Sequence, residues 1–183
     1  MKIAKIMQLT VFGVALALGA SFATAADKAE RGQLSSKDYK FAVKAAQGGM
    51  AEVEIGQLAK QKANNPQVKT FAEKMVTDHT KANEELKQIV SKKGAAFPAN
   101  LPRKENSTFN SLEKATGNDF DKEYVEHIVK DHKKDVKEFE DAAKNADDPD
   151  LRAFAQKTLP TLQEHLRQIE QIEPAFNKRA SSR

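Results

Sequence analysis

The chain has 183 residues, 30 basic against 26 acidic, a formal charge of +4 and no cysteine. Without cysteine there are no disulfides, no thiolate metal sites, no haem attachment through C-x-x-C-H and no lipidated-cysteine anchor. Charges of both signs are interleaved rather than blocked, which reads as a solvated helix surface and not as a nucleic-acid footprint.

Residues 1–25 read as a secretory signal peptide. Lys2 and Lys5 give the positive start, Leu9 to Ala20 is mostly apolar, and Ala23-Thr24-Ala25 is a small-residue cleavage site. Cleavage after Ala25 leaves 158 residues and lowers the formal charge to +2. That is one ordinary domain with a real core. The expected location is exported and periplasmic, with a retained N-terminal anchor as the rival reading. No later segment approaches the roughly 18 apolar residues of a membrane span, so the mature chain should have no transmembrane helix.

Residues 26–36 are small and polar and read as a flexible lead-in; residues 37–176 form the domain. The spacing predicts a first helix from about Lys37 to Ala63, capped by Ser35 or Ser36, with Phe41, Ala45, Gly49, Glu52, Gly56 and Ala59 inward. Gly48, Gly49 and Gly56 each cost about 1 kcal/mol against alanine. Close helix packing at Gly56 accounts for one of them, close approach of a ligand near Glu52 being the alternative. Asn65 and Pro66 cap and start a second helix that runs to about Lys93, where Gly94 stops it. A connection from Ala95 to Asn118 holds Pro98, Pro102 and a short helical piece around Glu105 to Ala115, with Gly117 as a stop signal.

A third helix is expected from Asp119 to Asn145, with Tyr124, Ile128, His132, Asp135, Val136 and Phe139 inward. The fourth starts at Asp148-Pro149, carries Leu151, Phe154, Leu162, His165 and Ile169, and ends at Pro174. Pro160 removes the amide that would bond Gln156. Residues 177–183 are a basic tail.

The second half repeats the first at an offset of 83 residues. Asn65-Pro66-Gln67-Val68-Lys69-Thr70-Phe71-Ala72 reads against Asp148-Pro149-Asp150-Leu151-Arg152-Ala153-Phe154-Ala155, and Asp38 falls on Asp121, Glu52 on Asp135 and Leu86 on Ile169. Two copies of one helical hairpin joined by a long connection make an all-α four-helix bundle, which builds ligand sites from facing helices.

Glu52, His79, His132 and His165 occupy positions their helices would normally give to leucine or alanine. The first two lie roughly 18–20 Å from the first hairpin turn, the second two roughly 22–24 Å from the other turn. If the connection crosses the bundle, helices of roughly 40 Å bring all four level; without the crossover the pairs miss by about one helical turn. Neutral imidazoles with carboxylates suit a divalent transition metal, Fe, Zn, Cu or Ni. His132-x-x-Asp135 puts a further carboxylate on the same face, so the metal set is Glu52, His79, His132, Asp135 and His165. The alternative is a hydrogen-bonded polar core that fixes bundle register. Asp78 and Asp131 each precede an inward histidine and are weak candidates to orient its imidazole, because adjacent helix residues diverge by about 100°. His127 reads as a rim histidine. No dinucleotide motif, P-loop, nucleophile elbow or H-E-x-x-H is present.

Gly48-Gly49-Met50-Ala51-Glu52-Val53-Glu54-Ile55-Gly56-Gln57-Leu58-Ala59, Met75-Val76-Thr77-Asp78-His79-Thr80-Lys81-Ala82-Asn83 and Thr158-Leu159-Pro160-Thr161-Leu162-Gln163-Glu164-His165-Leu166 resemble the exported bacterial family catalogued as domain of unknown function 4142. The likeness covers about Ser36 to Ile172. It implies a ferritin-like bundle and an envelope location, and brings no established activity. A ferritin-like di-iron site needs Glu-x-x-His on two helices and a glutamate on each of the others. Here Val76 stands three residues before His79 and Leu162 three before His165. A single-ion site, or none, fits better.

Three functions follow as expectations. The first is a periplasmic bundle binding one divalent ion, and the second a metal-dependent oxidoreductase at the same cluster. The third is a structural envelope protein whose surface binds another envelope component. Nothing reads as an activated nucleophile, so a binding protein is favoured over an enzyme.

Overall fold

The computed structural model describes residues 26–99 and 107–177; the expected signal peptide, part of the connection and the tail beyond residue 177 lie outside the described residues. The described residues are helical, without strands. Four long helices, α1 (Ser36–Lys62), α2 (Pro66–Lys92), α4 (Gly117–Asn145) and α5 (Pro149–Ile172), are joined by the short α3 (Ser107–Lys114) and followed by α6 (Pro174–Asn177).

Local chemistry sets the helix starts. The side chain of Ser35 accepts from the Asp38 amide, Asn65 accepts from the Gln67 amide ahead of Pro66, and Asp148 accepts from the Asp150 and Leu151 amides behind Pro149. At the end of α2, Gly94 takes a left-handed φ of 68° and the chain folds back, with the Ala95 amide donating to the Val90 carbonyl.

Helices α1 and α2 form one antiparallel hairpin and α4 and α5 the other; α2 lies against α5 and α1 against α4. Two carboxylates lock the hairpins together. Asp38 Oδ1 and Oδ2 accept from the backbone amides of Asp147 (3.1 Å) and Asp148 (2.6 Å). Asp121 Oδ1 and Oδ2 accept from those of Asn64 (3.0 Å) and Asn65 (2.7 Å). Both carboxylates are buried, and all three pairs of positions are related by the 83-residue offset. The start of α1 therefore meets the second hairpin turn and α4 meets the first. The two turns sit at opposite ends, the placement that brings the four inward polar residues level. Lys62 at the far end donates to the carbonyls of Leu112 (3.2 Å) and Glu113.

The apolar core falls into two clusters. One gathers Leu34, Ala46, Leu86, Phe139, Leu151 and Phe154. The other gathers Ile55, Phe71, Met75, Tyr124, Ile128 and Ile169. Along every long helix, the residue at the junction between them is polar: Glu52, His79, His132 and His165.

Several sequence expectations are corrected. The lead-in expected to be flexible has a helical turn over residues 26–31, and Leu34 is buried in the core. Its backbone bonds α2's end, the Gln33 amide to Lys93 O and the Ala96 amide to Glu30 O. A Cβ on Gly32 would come within 2.3 Å of Lys93 O, so this docking needs glycine. Gly117 opens α4 rather than closing the connection. The fourth helix does end before Pro174, as expected, and that proline then starts the short α6 because proline is tolerated at a first helical position. On α1 the buried face is turned toward Ala42, Ala46 and Ile55, leaving Phe41 and Ala45 half-buried. Gly56 is a close-packing glycine: a Cβ there would meet Val76 Cγ2 at 2.9 Å.

Replacing Asp38 or Asp121 by alanine strands two backbone amides. Each substitution should cost about 2–4 kcal/mol, read as a lower urea midpoint with an unchanged m-value; a loss within error of zero in both variants would show that water replaces the carboxylates.

Candidate metal centre

Each long helix contributes one side chain to the polar layer, from its buried face between apolar neighbours. Glu52 is 1% exposed, His79 6%, and His132 and His165 are fully buried. The three imidazoles form a near-equilateral triangle, with ring centroids 5.6 Å (His79–His132), 5.4 Å (His79–His165) and 5.4 Å (His132–His165) apart. One nitrogen from each lies within 4.8 Å of the others.

Carboxylates stand on the outside of the triangle. Glu52 Oε2 is 3.0 Å from His79 Nδ1, and Oε1 is 3.1 Å from His132 Nδ1. These are ion-pair distances, but the directions fall outside hydrogen-bond geometry, and both Glu52 oxygens, His132 Nδ1 and His79 Nε2 have no hydrogen-bond partner. His165 Nε2 lies 2.8 Å from Asp78 Oδ2, which also accepts from Lys74 Nζ. That engages Nε2 and leaves His165 Nδ1 inward, 3.3 Å from His132 Nε2.

Burial works against the Glu52 charge, but the three histidines outweigh it and bring its pKa down to about 2. His79 and His165 are pushed down chiefly by burial, His165 to about 4, so both are neutral imidazoles at neutral pH. Burial also works against the His132 cation, yet the Glu52 carboxylate raises its pKa overall. Tyr124 has its hydroxyl buried without a partner, its pKa raised by burial and by the Glu52 charge.

Four of the five sequence candidates meet here. Asp135, on α4, is outside the imidazole triangle and half-buried at its rim. Asp78 does orient an imidazole, but that of His165 on the facing helix rather than its neighbour His79; Asp131 faces His127 at 3.4 Å on the surface. Lys74 was not singled out in the sequence; its spacing of four from Asp78 was the available signal.

The site defines a class: an all-helical bundle whose core is crossed by one layer of three histidines and a glutamate. A family model described as "Domain of unknown function (DUF4142)" matches residues 23–172, and the chain belongs to that family. Among solved structures, the chain is similar to the crystal structure of a DUF305 fragment from Deinococcus radiodurans. The TM-score is 0.69 and the identity 9%, covering 78% of this chain and 98% of that one, a likeness of fold alone. No curated protein matches the sequence.

Burial and the Glu52 charge raise the pKa of Asp135 from 3.8 to about 7. The folded protein therefore keeps a proton that the unfolded chain releases near 3.8, and stability is lost to this group as pH rises from about 4 to about 7. Asp135→Asn should become progressively more stable than the unsubstituted protein across that window and level off above it. Thermal melts of both proteins without metal check this, and a constant difference across the window would refute it.

Proposed function

We propose that this protein is an exported, periplasmic, ferritin-like four-helix bundle that binds one divalent transition metal ion at the buried imidazole triangle. The observation that carries this reading is the convergence of three buried imidazoles whose outer nitrogens face carboxylates. The nitrogens left inward are His79 Nε2, His132 Nε2 and His165 Nδ1. Ligating histidines commonly hold their other nitrogen against a carboxylate, which fixes ring orientation. Glu52 would do this for His79 and His132, and Asp78 for His165. An ion with bonds of about 2.0–2.1 Å holds its nitrogens roughly 3.3–4.2 Å apart. The His132–His165 pair, at 3.3 Å, already has that separation.

Three imidazoles suit Zn(II), Cu(II), Ni(II) or Fe(II). With one set of ligands and carboxylates in outer positions, the arrangement supports one ion rather than a di-iron pair. The export expectation rests on the Lys2–Ala25 pattern, and the apolar-span criterion agrees with it to this extent: no helix among the described residues is long and apolar enough to cross a membrane.

One observation favours a second reading. The chain Lys74–Asp78–His165–His132 is continuous by itself, so the layer could serve only to set helix register. Elemental analysis of the purified protein after exposure to Zn(II), Cu(II), Ni(II) or Fe(II) separates the two. About one ion per chain is expected, with a raised melting temperature and both effects lost in His79→Ala/His132→Ala. No bound metal under any loading condition would leave the register-setting core.

A further inference from the structure

A surface cleft of about 370 Å³ opens between α1 and α4. Carboxylates of Glu54, Asp131, Asp135 and Glu138 line it together with Lys44, Lys134 and His127; Lys44 pairs with Glu138 at 3.3 Å and His127 faces Asp131 at 3.4 Å. Beneath it lies a cavity of about 20 Å³, bounded in part by Gly48, Glu52, His79 and Asp135. That is room for one water molecule. Lys44, Gly48, Asp135 and Glu138 line both spaces, so the two adjoin at this point.

Resting on the metal-binding reading above, we propose that a divalent cation reaches the imidazole triangle through this passage, transferred from the Asp135 carboxylate to that of Glu52, with Gly48 holding the passage open. Glu52 is 1% exposed, lines the inner cavity and has both oxygens without a hydrogen-bond partner. It is a buried acceptor at the inner end of a cleft in which carboxylates outnumber lysines four to two. Of the three histidines, His79 alone lines the cavity and alone keeps solvent contact, 6% against 0% for His132 and His165. At Gly48 a Cβ would meet nothing within 4 Å, so the helix tolerates a side chain there and the glycine is not required by packing. Its absence of bulk keeps cleft and cavity continuous. Four carboxylates against two lysines leave the cleft with an excess of acid that favours cations, and successive carboxylates replace the ion's water shell before the imidazoles do.

Co(II) serves as the probe, because its visible absorption changes when imidazoles replace water. Stopped-flow uptake should slow about tenfold or more in Asp135→Asn and in Gly48→Leu, while both reach the same final absorption and stoichiometry as the unsubstituted protein. Unchanged helical circular dichroism shows that both variants fold. Uptake at the unsubstituted rate in both variants overturns the passage while leaving the metal site standing. Loss of the endpoint in Asp135→Asn makes Asp135 a ligand and likewise overturns it. Absence of Co(II) binding in the unsubstituted protein overturns the metal-binding reading itself, and the passage with it.

Discussion

Asp38 and Asp121 each lay a carboxylate across the two backbone amides that open the other hairpin's second helix. At each end of the molecule a helix N-terminus would otherwise present unsatisfied donors and a partial positive charge to the interior. One buried carboxylate answers both, and in doing so fixes the axial position of one hairpin on the other. The level of every residue along the helices follows from that. A slip by one turn would displace His132 and His165 by about 5.4 Å relative to Glu52 and His79 and disperse the polar layer.

The polar layer makes its own demands. Glu52 is an ionised carboxylate with almost no water, a costly arrangement unless charge and hydrogen bonding compensate. The compensation comes from imidazoles on the three other long helices, so the layer is specific as well as polar: apolar side chains would pack in many registers, whereas these groups meet in one. The two apolar clusters then act as seals above and below it. Their composition is ordinary, and between them the polar layer is almost wholly withdrawn from water.

Much of this was legible in the sequence. The repeat, the proline-started helices and the four inward polar residues on α1, α2, α4 and α5 emerge from spacing alone, because hydrophobic periodicity and capping are local properties. Less legible were groups whose partners are distant in sequence. Asp38 and Asp121 stand out as a repeated pair, yet only the fold shows what each one grips. Asp78 was read against its neighbour in the chain and instead serves His165, since a residue pointing away from one helix points toward another. The lead-in was misread because its small polar composition conceals Leu34 and the turn at Gly32 that seats it. Asp135 was assigned inward by helix phase, and a modest rotation of α4 leaves it at the rim.

The layer also divides unequally under the 83-residue offset. Glu52 and His79 belong to the first hairpin, His132 and His165 to the second. Their counterparts in the other copy are Asp135, Leu162, Gly49 and Ala82, none of them an imidazole. The fold is a near-symmetric duplication, but the chemistry has been partitioned between the copies. Two first hairpins paired with each other would hold two histidines at a different spacing, and two second hairpins would lack Glu52. The halves have become complementary subunits within one chain, and the tether between them ensures that each molecule contains one of each.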